Sequence, residues 1–84
     1  MQTADNASRR KKVAKGIARN LQREMSKRGV NQQEVASMCK LSPMVISRAL
    51  RPEQVPPSVV KVLLIARALD MSVEELCGEG RRGI

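Results

Sequence analysis

Eighty-four residues suffice for one small domain, and a composition of 42% hydrophobic and 29% charged residues is that of a chain that folds. There is no Phe, Tyr or Trp, which excludes readers that stack bases on aromatic rings, and no His, which excludes imidazole acid–base chemistry and His-liganded metals. Sixteen Lys/Arg against eight Asp/Glu give a net charge of +8; residues 1–51 hold twelve of the bases and three of the acids, which points to a basic face turned towards a polyanion.

Residues 1–8 are polar, carry no apolar period and read as a flexible arm. From about Arg9 to Arg28, Val13, Ile17, Leu21 and Met25 recur every four residues with Ala14 and Ala18 alongside, the spacing of an amphipathic helix. Lys15, Arg19, Arg23 and Lys27 form a second row about 200° around that helix, expected to be surface rather than interface except near its N-terminal end. Gly29, following Lys27 and Arg28, marks the helix end.

Asn31 with Glu34 three residues later has the pattern of a capping box, opening a short helix from Gln32 to about Cys39 with Val35, Ala36 and Cys39 inward. Lys40-Leu41 break it. Ser42 caps a third helix whose first position is Pro43, where the missing N–H would be unpaired in any case, and Ile46, Ala49 and Leu50 form its inward side. The segment from Arg51 to Pro57 contains three prolines and reads as a loop.

Pro57 or Ser58 starts a fourth helix that reaches about Leu69. It is expected to be the most buried element, because Val59, Val62, Leu63, Ala66 and Leu69 share one face that Val60, Leu64 and Ile65 widen. Ser72 and Glu75 form a second capping box over a last helix from Val73 to Cys77, ended by Gly78; the polar residues 79–84 read as a flexible tail. The fold class is therefore all-α, with five helices in one domain over residues 9–78.

Cys39 and Cys77 form no Cys-x-x-Cys pair, and two thiolates without imidazole partners do not close a tetrahedral zinc site. A small secreted chain usually carries several disulfides, so two thiols point to a reducing, cytoplasmic setting. No apolar run reaches about 18 residues, so no membrane span is expected. Glu24, Glu34, Glu53, Asp70, Glu74 and Glu75 are accounted for by caps and helix faces. The expectation is a protein with no catalytic residues, metal or cofactor.

Three consecutive helices with a tight break between the second and third make a helix-turn-helix arrangement, in which one helix protrudes far enough to enter a major groove about 12 Å wide. Val30-Asn31-Gln32-Gln33-Glu34-Val35-Ala36, then Leu41-Ser42, then Ile46-Ser47-Arg48, resemble the second and third helices of the Cro/CI-type (lambda-repressor-like, XRE) family. Pro57-Ser58, Leu63, Ile65-Ala66, Ala68-Leu69 and Ser72-Val73-Glu74-Glu75-Leu76 are similar to its fourth and fifth. The resemblance covers about residues 13–78 and implies a five-helix domain that binds double-stranded operator DNA, usually as a dimer. Two departures stand out. Lys40 occupies a turn position that is usually Gly, and Pro43 and Met44 stand where the family tends to place polar readers such as Gln.

Mapped onto that arrangement, Arg48 is the principal candidate base reader, since Arg pairs bidentately with guanine O6 and N7. Met44, Ser47 and Pro43 flank it, the apolar ones suited to a thymine methyl. Candidate phosphate contacts are Gln32 and Gln33 at the start of the second helix, Lys40, Ser42, Arg51 and Ser58 around the third, and the basic run Arg9, Arg10, Lys11 and Lys12. A module this small covers about 600–1,000 Å², so a homodimer on a pseudo-palindrome with half-sites about 34 Å apart is expected. Val55, Val60, Leu76 and Ile84 are its candidate contacts. The function expected is a repressor; the alternatives are the antitoxin of a toxin–antitoxin pair, with a toxin as partner, and a restriction–modification controller.

Overall fold

The computed structural model describes residues 2–51 and 57–78, and side chains from Arg10 onward. Its helices are α1 (Gln2–Arg28), α2 (Gln32–Cys39), α3 (Pro43–Ala49), α4 (Val59–Ala68) and α5 (Val73–Cys77), with no strand among the described residues. α1 packs on α3 and α5, α2 on α3 and α4, and α4 on α5. The expected all-α, five-helix class is the one observed. Val55, Ile84 and the residue range 79–84 lie outside the described residues.

The core is aliphatic throughout. Ile17 and Leu21 of α1, Val35 of α2, Ile46 of α3, Ile65 of α4, Leu69 just beyond it and Leu76 of α5 are fully buried, and small residues such as Ala36 and Ala49 let α2 and α3 approach closely. Each fully buried aliphatic side chain contributes about 1.5–3 kcal/mol, so these few residues hold the domain together without a single ring.

Helix ends explain how so short a chain turns so often. α2 and α5 each open with a complete capping box, Asn31 with Glu34 and Ser72 with Glu75, while Ser42 and Ser58 cap α3 and α4. α1, α2 and α4 close with the same paired backbone bonds: Val30 N–H to Met25 O, Leu41 N–H to Ala36 O and Met71 N–H to Ala66 O. Each closure needs one left-handed residue. Gly29 supplies the first at φ 67°, but Lys40 (φ 60°) and Asp70 (φ 58°) supply the others despite their side chains.

Three expectations need correction. α1 begins at Gln2 rather than Arg9, so most of the segment read as an arm continues the helix; a polar stretch without an apolar period still propagates a helix nucleated further on. α4 is not the most buried element, because Val59, Val60 and Leu63 are exposed and only Val62, Ile65 and Ala66 of the helix itself are buried. Leu76 is fully buried, packed in the core through α5, and is not available as a dimer contact.

Candidate nucleic-acid interface

α2 and α3 are joined by three residues. Lys40 N–H donates to Ser37 O at 3.2 Å and Leu41 N–H to Ala36 O at 2.9 Å, which ends α2 and reverses the chain. Ser42 then accepts Val45 N–H at 3.4 Å, and Pro43 takes the first position of α3. Ile46 and Ala49 anchor α3 from below. On its other side, Met44, Ser47 and Arg48 fall at i, i+3 and i+4, the spacing of one helix face. Met44 is 62% exposed, Arg48 is exposed and Ser47 is half-buried.

Each sequence-predicted residue of this unit lies at its surface. Pro43, Ser42, Lys40 and Arg51 are exposed around α3, and Gln32 and Gln33 are exposed in the first turn of α2. The capping box commits the Asn31 side chain to Glu34 N–H, at 2.8 Å. That leaves the Gln32 and Gln33 amides, which have no partner within the helix, for water or an anion. Ser58 is exposed and accepts Lys61 N–H at 3.4 Å as the cap of α4; its own hydroxyl proton is free to donate elsewhere.

Arg10, Lys11 and Lys12 are exposed on the N-terminal part of α1, an element separate from the α2–α3 unit, and the Arg9 side chain lies outside the described residues. Charge pairing divides the cations sharply. Glu24 takes Arg28 at 3.0 Å and Lys27 at 3.9 Å, and no other ion pair occurs among the described residues. Lys40, Arg48 and Arg51 therefore have no carboxylate of the described residues within 4.0 Å to compete with a phosphate or a guanine.

Three residues that hold the scaffold escaped the sequence reading. Asn20, only 5% exposed, directs its Nδ2 at the carbonyls of Glu75, Leu76 and Gly78 at 3.0, 2.8 and 2.8 Å, satisfying the open end of α5. A Cβ on Gly16 would lie 2.5 Å from Cys77 O, so only glycine lets α1 and α5 meet there. Arg28 reaches Leu69 O at 2.6 Å and so closes the end of α4 from α1. A lone Gly inside a helical period was the available sign of Gly16; nothing in the sequence marked the roles of Asn20 and Arg28.

The two thiols have no partner chemistry. Cys39 is buried, Cys77 half-buried, and burial raises both above their ordinary value. No cluster of three or more His, Cys, Asp or Glu suited to a metal occurs among the described residues, and no described helix is long and apolar enough to cross a membrane.

Residues 21–76, more than half of the chain, match the family model described as helix-turn-helix. Comparison with curated proteins and with solved structures found no match. The matched span begins in the last third of α1 and ends inside α5, and it contains the whole α2–turn–α3 unit with its exposed Arg48. The chain belongs to the Cro/CI-type helix-turn-helix family of DNA-binding transcription regulators.

Proposed function

We propose that the protein is a cytoplasmic repressor that binds a pseudo-palindromic operator as a homodimer, with α3 in the major groove of each half-site. The observation that carries the reading is the sidedness of α3: Ile46 and Ala49 are sealed into the core while Met44 and Arg48 stand out from it. In this reading Arg48 pairs with a guanine, Met44 and Pro43 meet a thymine methyl, and Ser47 contributes a hydroxyl at the groove wall. Gln32 and Gln33 with the start of α2, together with Lys40, Ser42, Arg51 and Ser58, hold the backbone and fix the angle of entry; Arg9 to Lys12 add charge from α1. Repression requires no catalysis, because occupying a promoter is enough to exclude polymerase.

The homodimer is supported by α4. Val59 is 81% and Val60 66% exposed, with Leu63 beside them, an apolar face of a kind that a monomer this small rarely leaves uncovered. A toxin-binding surface on α5 would rest on Val73 as its exposed aliphatic, since Leu76 is buried, so the antitoxin reading has less behind it. A controller role within a restriction–modification system would use the same DNA face. The test is a gel shift, titrated with salt, on the DNA upstream of the protein's own coding sequence. A discrete complex that outlasts binding to unrelated duplex as salt rises is expected; equal loss on both duplexes would contradict sequence-specific recognition.

A further inference from the structure

We propose that Lys15, Arg19 and Arg23 of α1 form a second phosphate-binding track, continuing the duplex contact past the end of α3 onto the flanking backbone. The inference rests on the DNA-binding reading above and adds a surface to it. Along the sequence these residues belong to a uniform row with Lys27, expected to be solvent-facing. The fold splits that row. Lys27 lies beside Glu24, whereas Lys15, Arg19 and Arg23 are exposed with no carboxylate of the described residues within 4.0 Å.

These three cations share one groove of about 570 Å³ with Gln22, Ala18 and Leu50. Leu50 is the residue that ends α3, and the exposed Arg51 follows it directly. The groove thus runs from the α1 row to the C-terminal end of α3 across a floor of buried Ala18 and half-buried Leu50, one residue short of the exposed Arg51. Successive members stand about 6 Å apart along the helix axis. From Lys15 to Arg23 the row spans about 12 Å, the axial length of three to four phosphates on one strand.

Like charges at i,i+4 repel along a helix face, so the row is unfavourable to α1 in isolation. A phosphate backbone turns that repulsion into attraction. Two of the three are Arg, whose planar fork holds phosphate oxygens in pairs, and the Gln22 amide adds a neutral donor. None of these contacts reads a base, so the track adds affinity and salt dependence without adding sequence preference.

The experiment compares salt dependence on a mixed-sequence duplex of about 30 base pairs, by fluorescence anisotropy. The variants are Lys15→Gln/Arg19→Gln/Arg23→Gln and a control of equal charge change, Lys27→Gln/Lys61→Gln/Arg67→Gln, all at exposed positions. The first is expected to flatten the slope of log affinity against log salt by about 2–3 units, at about 0.9 per lost phosphate contact, while the control keeps the wild-type slope. A charge-retaining Lys15→Arg/Arg19→Lys/Arg23→Lys variant keeps most of the slope. Circular dichroism of each variant checks that the helices are intact. Equal slopes for the groove variant and wild type, or equal flattening in groove variant and control, would overturn the track and leave the DNA-binding reading standing. A wild-type protein that fails to bind duplex even in low salt would overturn both.

Discussion

Nδ2 of Asn20, in the C-terminal half of α1, donates to the carbonyl of Leu76 at 2.8 Å and lies within hydrogen-bond distance of the Glu75 and Gly78 carbonyls on either side. One buried amide thereby closes the last helix onto the first across 56 positions of sequence. Leu76, whose backbone it holds, is itself fully buried, so the polar clamp and the apolar core meet at one point.

Replacing Asn20 with Ala leaves those carbonyls without their donor in a buried site. The expected cost is about 1–3 kcal/mol, read from the midpoint of urea unfolding. Asn20→Asp should cost more, because a carboxylate facing carbonyl oxygens is both unpaired and repelled. An Asp variant as stable as the wild type would show that the clamp carries no weight. Gly16→Ala is expected to loosen the same junction, since its Cβ meets backbone rather than a flexible side chain.

Lys40 holds a left-handed conformation that costs a residue with a Cβ about 1–2 kcal/mol. Lys40→Gly relieves that strain, while the greater freedom of glycine in the unfolded chain returns part of it, so a net gain of about 0.5–1 kcal/mol is expected on unfolding. DNA binding should move the other way, with the salt slope flattening by about one unit as a phosphate contact is lost. A variant improved in both properties would remove Lys40 from the interface.

These positions show where a sequence reading stops. The helix ends were legible because capping chemistry is local: Asn31 with Glu34, Ser42 with Pro43, and Ser72 with Glu75 stand within three residues of one another. The arrangement of α3 was legible because Ile46 and Ala49 mark its buried side and Arg48 falls on the other. The α4 face was misread because its residues are aliphatic nearly all round, and an apolar period does not say which flank a neighbouring helix will cover. Asn20 and Arg28 were missed for the opposite reason. Each acts on a carbonyl more than forty residues away, and no local pattern encodes such a pairing.

The exposed Val59, Val60 and Leu63 give the proposed dimer a direct handle. Val60→Asp puts a charge on that face without touching the core, so the fold should persist while self-association is lost. Sedimentation of the free protein and the concentration dependence of its DNA complex provide the readout. A monomer binding with weaker, non-cooperative titration is expected; an unchanged complex would place the dimer contact elsewhere.

Alkaline unfolding tests the burial of Cys39. Its folded-state value is raised by desolvation above the ordinary 9.0, so the unfolded chain ionises first as pH increases. The stabilisation from keeping the thiol protonated is fully present below about pH 9 and is lost as pH climbs through the folded value. With no Tyr in the chain, no phenol titrates in that range. Cys39→Ala is expected to be less stable at neutral pH, from the lost packing, and to show a flatter decline above pH 9. An equally steep decline would assign the alkaline effect to other groups, among them the half-buried Cys77.

The placement of α3 in the major groove is tested most directly by methylation interference on duplexes that the wild-type protein selects from a random pool. Methylation at guanine N7 blocks one of the two atoms that Arg48 is assigned to hold. A guanine in each half-site whose methylation prevents wild-type binding, and which ceases to matter for Arg48→Ala, is the predicted result. Binding indifferent to N7 methylation throughout the selected site, or interference unchanged by Arg48→Ala, would contradict it.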